Sequence, residues 1–145
     1  MIKFLKIFVL MIFLINLSNT SYSMENFYDE GVKLFKSKKY EEAKFLFERS
    51  IVSDPKHSES YLYLAKIYKK EEDKKKEEKN LETTLLIDPS NEEAILLLME
   101  FALEKNNYSK VKELSDRFSK VCKSLCKENN QILKELKNLE PKNES

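Results

Sequence analysis

Pro55 and Pro89 stand 34 residues apart, each directly behind an aspartate, and that interval constrains the fold more than any other feature of the chain. Laying Met24–His57 over Ser58–Asn91 sets Phe27 on Tyr61, Gly31 on Ala65 and Leu34 on Tyr68. Farther along, Phe47 falls on Leu81, Ser50 on Thr84, and Asp54-Pro55 on Asp88-Pro89. Proline has no amide hydrogen and disfavours helical backbone in the residue before it, so each proline closes one unit and opens the next. Within a unit, bulky residues recur at helical spacing, as at Phe27, Leu34 and Phe47, or at Tyr61, Leu64, Tyr68 and Leu81. Small residues at Gly31, Ala43 and Ala65 let two antiparallel helices approach closely. One such pair cannot bury its apolar face alone, so the units must stack.

The spacing and these residues resemble the tetratricopeptide repeat, whose pattern is aromatic-x2-Leu-Gly-x2-Tyr, then Ala-x3-Phe, then Pro. The resemblance implies an all-α superhelix of αα-hairpins, three repeats followed by a C-terminal capping helix. The repeats span 24–57, 58–91 and a degenerate 92–123 that lacks the proline, because position 123 is lysine. Helices are expected over 25–37 and 40–53, 58–71 and 74–87, then 91–105 and 108–121. A cap over 124–140 carries its helix at 127–140, with Ile132, Leu133, Leu136 and Leu139 to one side, and a loose tail follows over 141–145. Ser58 and Ser90 are the expected helix N-caps, and Asn106-Asn107 the third hairpin's turn. The second repeat departs from the pattern where Lys74 and Glu77 replace Tyr40 and Ala43. A glutamate at a close-approach position is costly to bury, so a splayed start with residues 74–79 solvated is expected.

Before the repeats, Lys3 and Lys6 precede nine unbroken apolar residues, Ile7 to Ile15, and Ser21-Tyr22-Ser23 fits a small-x-small cleavage site. Residues 1–23 therefore read as a secretory signal peptide, since the run falls short of the roughly 20 residues needed to span a bilayer. An uncleaved anchor is the alternative. Either way the repeats face an extracytoplasmic space, periplasmic or secreted. Of 26 Lys+Arg, removing those two leaves 24 against 25 Asp+Glu, a net charge of −1 with no electrostatic case for nucleic acid. Gly31 is the sole glycine, which excludes a phosphate-cradling glycine loop.

Little in the chain suggests catalysis. His57 is the only histidine and reads as an exposed loop residue with no nucleophile or carboxylate to serve. The run from Lys74 to Lys79 mixes both signs and reads as a solvated helix face and not a binding patch. Cys122 and Cys126 would meet an oxidising compartment. On one continuous helix such β-carbons lie about 5–6 Å apart, too far for comfort, so a bridge needs a turn between them. A bridge that locks the cap is the favoured reading; two buried free thiols, or a redox or metal-handling pair, are the alternatives. No cofactor and no metal are expected.

In the family resembled, the first helix of each hairpin lines a concave groove that binds partner peptides or helices. Carried over position by position, that groove would show Tyr28, Val32 and Phe35, then Leu62, Lys66 and Lys69, then Leu96, Glu100 and Leu103. Alternatively, the apolar members of this set pack against one another inside a tight stack. Chaperone-tail-binding members grip a terminal carboxylate with lysine, asparagine and arginine; here those positions hold Tyr28, Val32, Tyr63, Glu93 and Leu97, so that clamp is absent. The expectation is a non-catalytic scaffold that binds another protein, with no membrane span once the leader is gone. A homo-oligomeric structural protein is the alternative.

Overall fold

A computed structural model describes residues 24–139, and the leader and tail expectations therefore lie outside the described residues. Seven helices follow one another with no strand among the described residues: α1 Met24–Lys36, α2 Tyr40–Ser53, α3 Ser58–Lys70, α4 Lys74–Ile87, α5 Glu92–Glu104, α6 Tyr108–Val121 and α7 Cys126–Leu139. Each helix packs on the next along the chain, and α7 also reaches back to α5. This is an all-α solenoid of three helical hairpins closed by a seventh helix.

The 34-residue period governs the backbone as well as the side chains. Residues 38, 72 and 106 all adopt left-handed backbone, with φ of 62°, 59° and 54°. The amide three residues past each helix end reaches back over the turn, Lys39 to Leu34, Asp73 to Tyr68 and Asn107 to Ala102, at 2.8–3.0 Å. These bonds satisfy carbonyls that the helix end leaves unpaired. Only Asn106 suits such a conformation; Lys38 and Glu72 adopt it at a cost because the hairpin geometry imposes it.

The core divides at the second repeat. One cluster joins Ala43, Phe47, Leu64, Ile67 and Tyr68 across the first two hairpins. The larger one runs from Leu62 and Ala65 through α4, α5 and α6 to Ile132 and Leu136 of the cap. At Gly31 an added methyl would lie 2.8 Å from the Phe47 ring, which is fully buried, so glycine there permits close approach of α1 and α2.

Three sequence expectations fail here. Helix α4 starts without fraying, because the Asp73 side chain accepts the Lys76 amide at 3.1 Å. Glu77 is buried, with 1% of its surface exposed. Lys74 covers it, its Nζ lying 3.2 Å from the Glu77 carboxylate and 2.6 Å from Glu104 of the next hairpin. Residues 75, 76, 78 and 79 are exposed, as the charge pattern suggests. The N-caps also differ: His57 accepts the Ser60 amide and Asn91 the Ala94 amide. Ser58 lies inside α3, and Ser90 turns back to Asp88. A cap side chain must precede the first helical residue to reach the free amides, and those places belong to 57 and 91. His57 is consequently a half-buried cap, its ring 4.6 Å from Tyr28, and not an exposed loop residue.

Candidate partner-binding face

The first helices of the hairpins, α1, α3 and α5, lie side by side and are tied by their side chains. Tyr63 on α3 receives two of the three aromatic residues of α1, Tyr28 at 5.8 Å and Phe35 at 5.1 Å, each ring edge to face. Beneath them Phe47 stacks on Tyr63 at 4.9 Å. Tyr28, Val32, Phe35 and Tyr63 pack on the first core cluster yet stay partly exposed. Burial pushes the Tyr28 hydroxyl well above the ordinary tyrosine range, with Tyr63 and neighbouring carboxylates adding to it. Burial likewise raises Tyr63. Both phenols are neutral at any physiological pH and offer hydroxyls as donors.

Between α3 and α5 the contacts are ionic. Lys66 meets Glu93 at 2.7 Å and Lys69 meets Glu100 at 2.7 Å. Lys66 also sits over the Tyr63 ring, 4.4 Å from its centre. Both lysines of the expected groove thus face carboxylates of the next repeat. Neither is a bare cation awaiting an acidic ligand.

The apolar positions of the later repeats fare differently. Leu62 is 1% exposed, and Leu96 and Leu103 are 7% and 8% exposed, all three within the larger core cluster. They hold successive repeats together, and what little Leu96 and Leu103 expose lies at the floor of a cavity beside the cap. The stack is tight enough that α3 and α5 are covered by the repeats or cap beside them, which the position-by-position carry-over could not register. The set therefore divides into Tyr28, Val32, Phe35, Lys66, Lys69 and Glu100 with accessible surface, Leu62 with almost none, and Leu96 and Leu103 with only a small patch each.

Sequence reasoning missed Tyr63, which joins the two ends of the α1 aromatic pair. It also missed the part played by α7, which forms a wall opposite α5 around a cavity of about 440 Å³. The signal was present in part: Leu139 belongs to the cap's apolar set but is 52% exposed, whereas Ile132 and Leu136 are buried.

The cap is fixed by two devices at one junction. Cys122 and Cys126 are bonded to each other, with Cα atoms 5.4 Å apart, and no free cysteine remains among the described residues. They are half-buried and exposed, not two buried thiols. Cys122 occupies the position of Asp54 and Asp88 in the earlier turns, with extended backbone, so the bridge staples a turn that lacks Asp-Pro. The Glu92 carboxylate then accepts the amides of Lys123, Ser124 and Leu125 at 2.9, 3.0 and 2.8 Å. Those bonds, the one from Leu125 foremost, hold Glu92 below the usual glutamate range. A carboxyl group lowered on folding stabilises the fold above its unfolded pKa and stops doing so as pH falls through the folded value. Urea unfolding followed from about pH 6 to pH 3 is therefore expected to show a shallower loss of stability in Glu92→Gln than in the parent, across and below the glutamate range.

Among the described residues no group of three or more His, Cys, Asp or Glu converges on a metal position, and no helix is long and apolar enough to cross a membrane. No family model and no curated protein matches the sequence. Solved structures do. The TPR2B domain of yeast Sti1 in its pHsp70 complex superposes with a TM-score of 0.75 at 16% identity, over 83% of this chain and all of that one. The first TPR of Spaghetti (RPAP3), bound to the HSP90 peptide SRMEEVD, gives 0.71 at 18% identity over 82% and 94%. The Yersinia enterocolitica type III secretion chaperone SycD, in complex with a peptide of the translocator YopD, gives 0.71 at 16% over 82% and 93%. The hairpin stack, its period and these likenesses agree: the chain has the fold of a tetratricopeptide-repeat domain.

Proposed function

We propose that this protein is a non-catalytic interaction module that binds a peptide or helix of another protein along the face of α1, α3 and α5, in an extracytoplasmic compartment. The observation that carries the reading is the half-exposed aromatic group of Tyr28, Phe35 and Tyr63 on that face, built on a rigid stack. Aromatic side chains with one side fixed in a core and one side open make good anchors, because little rotamer entropy is left to lose on binding. Neighbours of like fold include complexes with an HSP90 peptide and with a peptide of the translocator YopD, which supports a polypeptide ligand. The extracytoplasmic setting is supported by the apolar leader of residues 1–23 and by the Cys122–Cys126 bond, which suits an oxidising compartment.

Fractionation of cells carrying the tagged protein, followed by crosslinked capture and mass spectrometry, tests compartment, processing and partner together. The expected protein is extracytoplasmic and begins at Met24. Phe35→Ala is expected to weaken the captured partner's binding about tenfold or more while helical circular dichroism is retained. A folded Phe35→Ala protein that keeps its partner at full affinity would remove this face from consideration.

A further inference from the structure

The cavity between α5 and α7 has an apolar floor and an acidic rim, and no lysine or arginine lines it. Leu96, Leu103 and Ile132 form the floor, with Leu139 standing half in solvent at the edge. Four carboxylates surround it, Glu100 and Glu104 from α5 and Glu128 and Glu135 from the cap. The first two are neutralised from outside the cavity by Lys69 and Lys74. Glu128 and Glu135 are exposed and, among the described residues, carry no side-chain ion pair or hydrogen bond. The cap helix sorts its charges: Lys134 and Lys137 lie on its other side, about a second cavity shared with Lys112.

Resting on the interaction role proposed above, we infer that the cap end of the face takes a cationic amphipathic helix from a partner protein, with an apolar side on Leu139 and the leucine floor. Its lysines or arginines would meet Glu128 and Glu135. Charge complementarity selects this class over an acidic tail: the groove lysines Lys66 and Lys69 are already engaged by Glu93 and Glu100, and the two charges lining the cavity that no lysine engages, Glu128 and Glu135, are negative. The ligand is thus opposite in sign to the acidic peptide SRMEEVD held by one neighbour of like fold.

The test uses the full chain and two fluorescein-labelled helical peptides of about 18 residues, each with leucines at i, i+3, i+4 and i+7. One carries lysines on its flanks and its twin carries glutamates. Anisotropy titration is expected to show the lysine peptide binding about tenfold more tightly than its twin, with the difference shrinking as salt rises. Glu128→Gln/Glu135→Gln is expected to weaken the lysine peptide about five- to tenfold. Glu30→Gln/Glu42→Gln, the same charge change at the far end of the stack, is expected to leave it unchanged. Equal or tighter binding of the glutamate twin, still sensitive to Phe35→Ala, would overturn the charge class and leave the interaction face standing. Binding of neither peptide would overturn both. Sedimentation showing self-association that Glu128→Gln/Glu135→Gln abolishes would overturn the foreign partner in favour of a second copy.

Discussion

Phe47→Ala is expected to cost about 3–5 kcal/mol of folding stability, the range for emptying a buried aromatic site. Phe47 has no exposed surface, and its ring fills the space that Gly31 leaves on α1. The same ring stacks under Tyr63 and lies 6.0 Å from Tyr28. Alanine would leave a cavity that glycine on the facing helix cannot fill, so the loss should sit at the upper end of that range. Urea unfolding by circular dichroism measures it. A loss below about 1 kcal/mol would mean that the first two hairpins do not meet around this ring. Phe47→Leu, which copies Leu81 at the same position of the second repeat, should retain more than half of the stability lost to alanine.

Glu77→Met acts in the opposite direction and should raise stability by about 1–3 kcal/mol. The glutamate occupies the position of Ala43 and Val111, both fully buried in the neighbouring repeats. Its Oε2 atom is shut away from solvent and makes no hydrogen bond, although Lys74 lies 3.2 Å away at an unfavourable angle. Taking a carboxylate out of water costs several kcal/mol, and one poorly aligned ammonium returns only part of it. Methionine keeps the volume and removes that cost. Lys74 keeps Glu104 at 2.6 Å, so the substitution leaves no stranded cation. The denaturant midpoint should rise with an unchanged slope. A fall in midpoint would show the buried pair to be net favourable.

The two positions mark the limits of reading this chain from its residues. Phe47, Leu81 and the Asp-Pro pairs announce themselves through period and residue type, because apolar bulk and a missing amide act locally and repeat at each unit. Glu77 does not, because its burial depends on Lys74, and Lys74 depends on Glu104 in the next hairpin. The left-handed residues Lys38 and Glu72 were equally silent, since neither side chain favours that backbone. Their conformation follows from closing a hairpin whose helices are already committed to pack.

The candidate face shows the same division. Tyr28, Phe35, Lys66, Lys69 and Glu100 fall where the repeat register sets them, while Leu62, Leu96 and Leu103 are drawn inward by helices of the neighbouring repeats. Repeat length and hairpin order were determined by the sequence alone, through interactions that span a few residues, whereas the pairing of Cys122 with Cys126 was only the favoured of several readings until the turn geometry brought them together. Which charges pair, which leucines are drawn inward and where the cap builds an acidic cavity were decided only in the tertiary structure. Each of those outcomes joins side chains some thirty residues apart, as Lys69 and Glu100 do, and depends on how closely one hairpin settles against the next.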